Sequence, residues 1–266
     1  MNAVDEIIKT WAISNVKELS LSKSTILSGT FENDPVTLKV FDDPAEFNNQ
    51  KAALTLLPKN CCPSLIKFDN KLKALLIEEI RPGNTLKQLA KQNENEATLL
   101  FCQLLKKMYV KTSSSTKLPT VKGWLSSIQG NAKLSHETLV AAGKAIKFTE
   151  NYPQETCILH GDLHHENIVY SQDKGWVAID PKGVIGFTGF ETAIFLLNPI
   201  NETPNLERLF NRLAILHQEL NLDPILLKNL AFLRAVLGFI WDVEENNSSE
   251  ATYWNTWIEI LQDCIR

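Results

Sequence analysis

Residues 159–186 read LHGDLHHENIVYSQDKGWVAIDPKGVIG, and the order of polar residues inside this run decides the fold. Asp162 lies in a short polar loop after the apolar stretch Cys157-Ile158-Leu159. Asn167 follows five residues later, directly before Ile168-Val169-Tyr170, which reads as a strand. A turn over 171–175 leads into a second short strand from Trp176 to Ile179, so Asp180 stands at the end of a hairpin beside the loop of Asp162. Three oxygen-bearing side chains are thereby expected to converge.

Phosphoryl transfer needs such a set. Magnesium is a hard cation, usually held by one or two protein carboxylates plus phosphate oxygens, and Asn167 and Asp180 are the expected metal ligands. A further carboxylate must stand apart from the metal to accept the proton of the attacking hydroxyl and orient it. Asp162 is the expected catalytic residue. His160, His164 and His165 also invite a zinc site, but no nearby cysteine pair offers a further ligand and magnesium explains the hairpin better.

His160-Gly161-Asp162, with Asn167 and the later Asp180, resembles the catalytic and metal loops of the protein-kinase-like fold in the form used by aminoglycoside and choline kinases. Protein kinases themselves have Arg where Gly161 stands. The string Asp180-Pro181-Lys182-Gly183-Val184-Ile185-Gly186, followed by Gly189-Phe190-Glu191 and Asn198-Pro199, is similar to the aminoglycoside/hydroxyurea antibiotic resistance kinase family, which includes streptomycin 6-kinases. The resemblance is strongest over residues 159–199, and the first eighty residues share only the order of elements. It implies an α+β, protein-kinase-like two-lobed fold: a small β-rich N-terminal lobe with one main helix over 1–80 and a larger, mostly helical C-terminal lobe over 81–266. It also implies ATP or GTP with Mg2+, and transfer of the γ-phosphate to a hydroxyl of an aminoglycoside-like, streptomycin-type acceptor. His160 is expected to brace the loop through backbone hydrogen bonds. A kinase of another small hydroxylated metabolite and a nucleotide-binding pseudokinase without turnover are the alternatives.

In the first eighty residues, Val4 to Trp11 reads as a short amphipathic helix and Lys17 to Val40 as three strands, with a turn at Glu32-Asn33-Asp34-Pro35. Lys39, on the third strand, is the expected phosphate-binding lysine, since a compact ammonium offsets phosphate charge. The next helix runs from Pro44 or Ala45 to about Leu57 and should carry the acid that holds the lysine. Relatives place Glu where this chain has Gln50, and Glu46 lies one helical turn earlier on nearly the same face. Either residue could serve. The turn over Ser20-Leu21-Ser22-Lys23-Ser24, where protein kinases have a glycine-rich loop, contains no glycine. Ala74 to Ile80 reads as the last strand and hinge, with the backbone of Glu78, Glu79 and Ile80 facing adenine.

Helices are expected over 97–111, 133–151, 190–197, 205–220, 224–243 and 251–265, with a loop at Ser113-Ser114-Ser115-Thr116. A polycationic acceptor needs carboxylates, for which Glu191 and the run Asp242, Glu244 and Glu245 are the candidates, and Trp241 offers a ring face. Lys182 either holds phosphate or orients its loop.

Composition bounds these expectations. The chain has 266 residues, 44% hydrophobic and 22% charged, enough to bury a sizeable core in one or two lobes. Its net charge of -4, with Lys and Arg spread along the chain, argues against a nucleic-acid partner. The five cysteines have no Cys-x-x-Cys spacing and read as reduced thiols of a cytoplasmic protein. Neither a basic start followed by an apolar block nor an apolar run near twenty residues is evident, so no signal peptide or membrane span is expected. Oligomeric state is left open.

Overall fold

The computed structural model describes residues 3–21, 24–112, 117–153, 155–199 and 202–265. The loop at Ser113 to Thr116, and Ser22 and Lys23 of the glycine-free turn, lie outside the described residues.

Helix α1 (Ala3–Thr10) precedes three strands, β1 (Ser14–Leu21), β2 (Ser24–Phe31) and β3 (Asp34–Phe41). Phe31 pairs with Asp34 across a two-residue loop whose members, Glu32 and Asn33, both have positive φ (51° and 74°), the requirement of a type I′ hairpin turn. Helix α2 (Pro44–Leu56) follows, capped by Asp43, whose carboxylate accepts from Ala45 N–H. Strands β4 (Leu65–Asp69) and β5 (Ala74–Glu78) complete a five-stranded antiparallel sheet in the order β1-β2-β3-β5-β4. The alternation along β3 divides the sheet between two small cores. Val36, Leu38 and Val40 join Ile7, Leu27 and Leu76 on one face, while Phe41 joins Phe47, Leu54 and Leu75 under α2 on the other. Lys39 shares the second face by parity.

The chain then forms β6 (Pro82–Thr85), α3 (Leu86–Ala90), α4 (Glu94–Lys107), α5 (Val121–Ser126) and α6 (His136–Glu150). Four short strands come next: β7 (Thr156–Leu159), β8 (Ile168–Ser171), β9 (Gly175–Ala178) and β10 (Val184–Phe187). The β8–β9 hairpin is flanked by β6, and β10 pairs antiparallel with β7, Val184 opposite Leu159. This second pairing brings the segment after Asp180 back onto the segment before His160. Helices α7 (Gly189–Leu197), α8 (Leu206–Leu220), α9 (Pro224–Glu244) and α10 (Ser248–Cys264) finish the chain.

The largest core is shared by α4, α6 to α10 and β7. Its packing has one polar hub: buried Arg212 bonds Glu94 at 2.7 Å, the carbonyls of Phe195 and Leu196, and the ring of His165, which stacks on Phe195. All five cysteines are free thiols. Helix α9, expected over 224–243, is long and apolar enough to cross a membrane, although no such apolar run is expected from the sequence, and 72% of its apolar window is buried inside the protein.

Candidate active site

Asp162, Asn167 and Asp180 come together where β7, the β8–β9 hairpin and α2 meet. The loop between β7 and β8 is organised by His160, which is fully buried. Its Nε2–H donates to Ile179 O at 2.7 Å and its Nδ1 accepts from Asp162 N–H at 3.2 Å, so the ring spans the two aspartate-bearing segments. Burial holds its pKa down at about 4, and the neutral tautomer that this bridge requires is the one present. Asn167 donates its Nδ2 to Asp162 O at 2.9 Å, and its own carbonyl accepts from Ile179 N–H at 2.8 Å.

Asp180 has φ 58°, an uncommon conformation for a residue other than glycine, at the end of the hairpin. Its Oδ1 accepts from Lys39 Nζ and from Gln50 Nε2, each at 2.5 Å. Burial pushes this carboxyl up, but Lys39 and the Gln50 hydrogen bond together outweigh it and the pKa lies below the ordinary value. Of the two residues considered as partners of Lys39, Gln50 is buried at the site and Glu46 is exposed on the first turn of α2. Gln50 acts on Asp180 and on Pro181 O at 3.3 Å, so lysine and glutamine meet through the aspartate.

Asp162 Oδ2 lies 3.1 Å from Lys182 Nζ and 4.0 Å from His164 Nε2. Burial raises this carboxyl, but Lys182, His164 and Arg234 together hold it down at about 2, so it is ionised at neutral pH. Gly161 permits the approach of this wall: its φ is +85°, and a Cβ there would stand 3.3 Å from the Trp124 ring and 3.4 Å from Lys182 Cβ.

The residues expected to face the acceptor are placed differently. Glu191 is 2% exposed, and its carboxylate accepts from Gly161 N–H at 3.0 Å, inside the protein and behind the catalytic loop. Every residue of α7 is buried, which leaves this helix no cleft-facing side. Burial raises the Glu191 pKa to about 7. Asp242 accepts from Trp254 Nε1 at 2.7 Å toward α10, Glu244 pairs with Lys133 at 2.9 Å, and Glu245 is exposed at the end of α9. Trp241 does face the site: its ring meets Trp124 edge-on at 5.4 Å, with Lys182 Nζ 5.9 Å from its centroid. At the hinge, the N–H groups of Glu78 and Glu79 are taken by Ser64 O and Pro35 O. The Glu78 carboxylate is paired with Lys174 Nζ at 2.5 Å, and Glu79 pairs with Arg81.

The donor set fits a hard cation. The Asp180 carboxylate is half-exposed, and the use of Asn167 Nδ2 on Asp162 O leaves Oδ1 as the atom of that side chain that could face a cation. Among the described residues no group of three or more His, Cys, Asp and Glu is arranged to hold a metal, so a cation here depends on phosphate oxygens as well. Two of the three histidines turn elsewhere, His160 to Ile179 and His165 to Arg212, while His164 stands beside Asp162. Two participants were not singled out from the sequence. Trp124 carried no signal, whereas Arg234, alone among apolar residues in the middle of α9, could have been read as a buried cation.

An antiparallel sheet covered by α1 on one face and α2 on the other, a mostly helical remainder, and this loop between β7 and β8 define an α+β protein-kinase-like fold. Solved structures agree: an aminoglycoside phosphotransferase, APH(4)-Ia, in ternary complex with ADP and hygromycin B aligns with TM-score 0.72 at 13% identity over 97% of each chain. Choline kinase LicA from Streptococcus pneumoniae aligns with TM-score 0.70 at 14% identity over 98% of this chain and 97% of that one. The model of the aminoglycoside/hydroxyurea antibiotic resistance kinase family matches residues 26–246, and the chain belongs to that family. A streptomycin 3''-kinase of Klebsiella pneumoniae is 32% identical over 134 residues, 50% of each chain. A hydroxyurea phosphotransferase of Kitasatospora aureofaciens is 24% identical over 222 residues, 78% of this chain and 62% of its own length. A streptomycin 6-kinase of Streptomyces griseus is 30% identical over 92 residues, 33% of this chain. The chain thus spans 30% to 62% of the length of these relatives.

Proposed function

We propose that the protein is a small-molecule kinase that transfers the γ-phosphate of ATP or GTP to a hydroxyl of an aminoglycoside-like, streptomycin-type acceptor. The observation that carries this reading is the convergence of an ionised Asp162 with Asn167, Asp180 and Lys39 from three segments of the chain, the β7–β8 loop, the end of β9 and β3. The nucleotide lies between a lobe of residues 1–80 and a lobe of residues 81–266, with its base against the carbonyls of Glu78 and Glu79 and the Ile80 backbone. Lys39 and Gln50 hold Asp180 in place, and Lys39 adds charge beside the phosphates. Asp162 orients the acceptor hydroxyl and takes its proton. Asn167 and Asp180 would hold Mg2+, which when bound neutralises phosphate charge. Little covalent chemistry falls to the protein, so positioning and electrostatics set the rate.

One observation favours a second reading, in which the acceptor is a less cationic hydroxylated molecule. Glu191, Asp242 and Glu244 are engaged away from Asp162, whereas Lys182 lies against it. A phosphotransfer screen with ATP and GTP against streptomycin, other aminoglycosides, hydroxyurea and small hydroxylated amines separates the two. Transfer to streptomycin supports the first; transfer confined to uncharged acceptors supports the second. Tight nucleotide binding with no transfer to any acceptor would refute both.

A further inference from the structure

The cation in contact with Asp162 lies outside the phosphate-binding set assembled above. Lys182 Nζ is 3.1 Å from Asp162 Oδ2, yet the lysine side chain is 51% exposed while that of Asp162 is 18% exposed. The course of its loop does not depend on this contact. The backbone N–H groups of Lys182 and Gly183 both donate to His160 O, at 2.8 and 3.0 Å, and Pro181 O is bonded by Gln50. The ammonium therefore sits at the end of a flexible four-carbon stem rooted in a rigid loop. The two lysines of the site stand on opposite carboxylates, Lys39 on Asp180 and Lys182 on Asp162. In the kinase reading, on which this inference rests, the transferring phosphoryl group passes between those carboxylates.

We propose that Lys182 is a catalytic cation: it caps Asp162 until the nucleotide arrives, then moves to the γ-phosphoryl oxygens and so uncovers Asp162 for the acceptor hydroxyl. In the step itself the acceptor oxygen forms a bond to the γ-phosphorus. The bond from that phosphorus to the β,γ-bridging oxygen breaks, and its electron pair leaves on the nucleoside diphosphate. The hydroxyl proton passes to the Asp162 carboxylate. Lys182 keeps its protons throughout and contributes charge where the three peripheral oxygens gather it.

Arg234 makes the exchange affordable in electrostatic terms. It is 6% exposed on α9, its Nη1 has no hydrogen-bond partner among the described residues, and its guanidinium stands 5.0 Å from the rings of both Trp241 and Trp254. It acts electrostatically on Asp162, so the carboxylate is not left as an uncompensated charge when Lys182 departs. The Trp241 face beside Lys182 offers the ammonium an apolar flank along its path.

The test compares wild type, Lys182→Met and Lys182→Arg in the full chain, titrated with Mg-ADP and with Mg-AMP-PNP by calorimetry and assayed for phosphotransfer. The preference for AMP-PNP over ADP is expected to fall about tenfold in Lys182→Met, the loss of one charged contact to the terminal phosphate, with ADP affinity within about twofold of wild type. The variant's kcat is expected to drop about 10²-fold with a smaller change in KM for ATP, and Lys182→Arg to recover part of both. An unchanged AMP-PNP to ADP ratio in Lys182→Met would overturn the inference and leave the kinase reading standing. Wild-type protein that binds both nucleotides without transferring phosphate would instead refute the kinase reading, and with it the catalytic role.

Discussion

Gln50 Nε2 and Lys39 Nζ both reach Asp180 Oδ1 at 2.5 Å, so α2 and β3 grip one atom of one carboxylate, the first with a neutral amide and the second with a cation. Gln50→Glu would place a second anion at that point and leave Lys39 to serve two carboxylates. The nucleotide-free variant is expected to be less stable by about 1–3 kcal/mol, a few degrees in melting temperature. Mg-ATP should raise its melting temperature more than it raises that of wild type, because the metal relieves the repulsion. Thermal unfolding with and without Mg-ATP checks this, and matching curves for the two proteins would contradict the shared grip.

Asp162 is held ionised at about pKa 2 and is positioned by His160 and Asn167 through its backbone. Asp162→Asn keeps the shape and removes the proton acceptor, so kcat is expected to fall by about 10²- to 10⁴-fold. Nucleotide affinity, measured by calorimetry, should stay within about threefold because the phosphate-facing groups are untouched. Near-full transfer by this variant would remove Asp162 from the mechanism.

Gly183 has φ +68°, and a Cβ there would lie 2.7 Å from Asn49 O in α2. Gly130 has the same φ with nothing within 4 Å of its Cβ position. Both Gly→Ala changes incur the left-handed penalty of about 1–2 kcal/mol, but only Gly183→Ala also forces α2 away from the loop that follows Asp180. Urea unfolding should therefore show the larger loss for Gly183→Ala, accompanied by weaker nucleotide binding. Equal losses at the two positions would show that the close approach of α2 contributes nothing.

Glu191 titrates near pH 7 in the folded protein because burial raises it from an ordinary 4.5. Between those values the folded chain binds more protons than the unfolded one, so this residue makes stability fall as pH rises from about 4.5 to about 7. Glu191→Gln keeps an acceptor for Gly161 N–H and abolishes the titration. It is expected to match wild type near pH 4.5 and to exceed it by up to about 3 kcal/mol at pH 8. Urea midpoints at the two pH values decide it: a constant difference would place the Glu191 pKa in the ordinary range.

The catalytic loop was legible because its chemistry is local. Asp162, Asn167 and Asp180 flank one hairpin within nineteen residues, and hairpin signals are readable from residue types at short spacing. The long helices α4, α6, α8, α9 and α10 showed their apolar faces, with ends displaced by a few residues, whereas five- or six-residue α3 and α5 gave no periodicity to detect. The partners of the acids were not legible in this way. A carboxylate's sequence neighbours do not say whether a partner waits inside, and Trp254, Lys133 and the Gly161 amide, which engage Asp242, Glu244 and Glu191, all lie at least twelve residues away along the chain. The choice between Glu46 and Gln50 is hidden in the sequence on the same ground: Lys39 bonds an aspartate 141 residues later, and Gln50 of the following helix meets it there.

The ion pair of Glu78 with Lys174 has a mechanical consequence. Lys174, in the turn of the β8–β9 hairpin, also bonds Cys62 O, so the far tip of that hairpin is fastened to the segment around the N-terminal sheet. The opposite ends of the same hairpin adjoin Asn167 and Asp180. The hairpin is therefore pinned at its tip, and the positions of Asn167 and Asp180 are tied through it to that of Glu78.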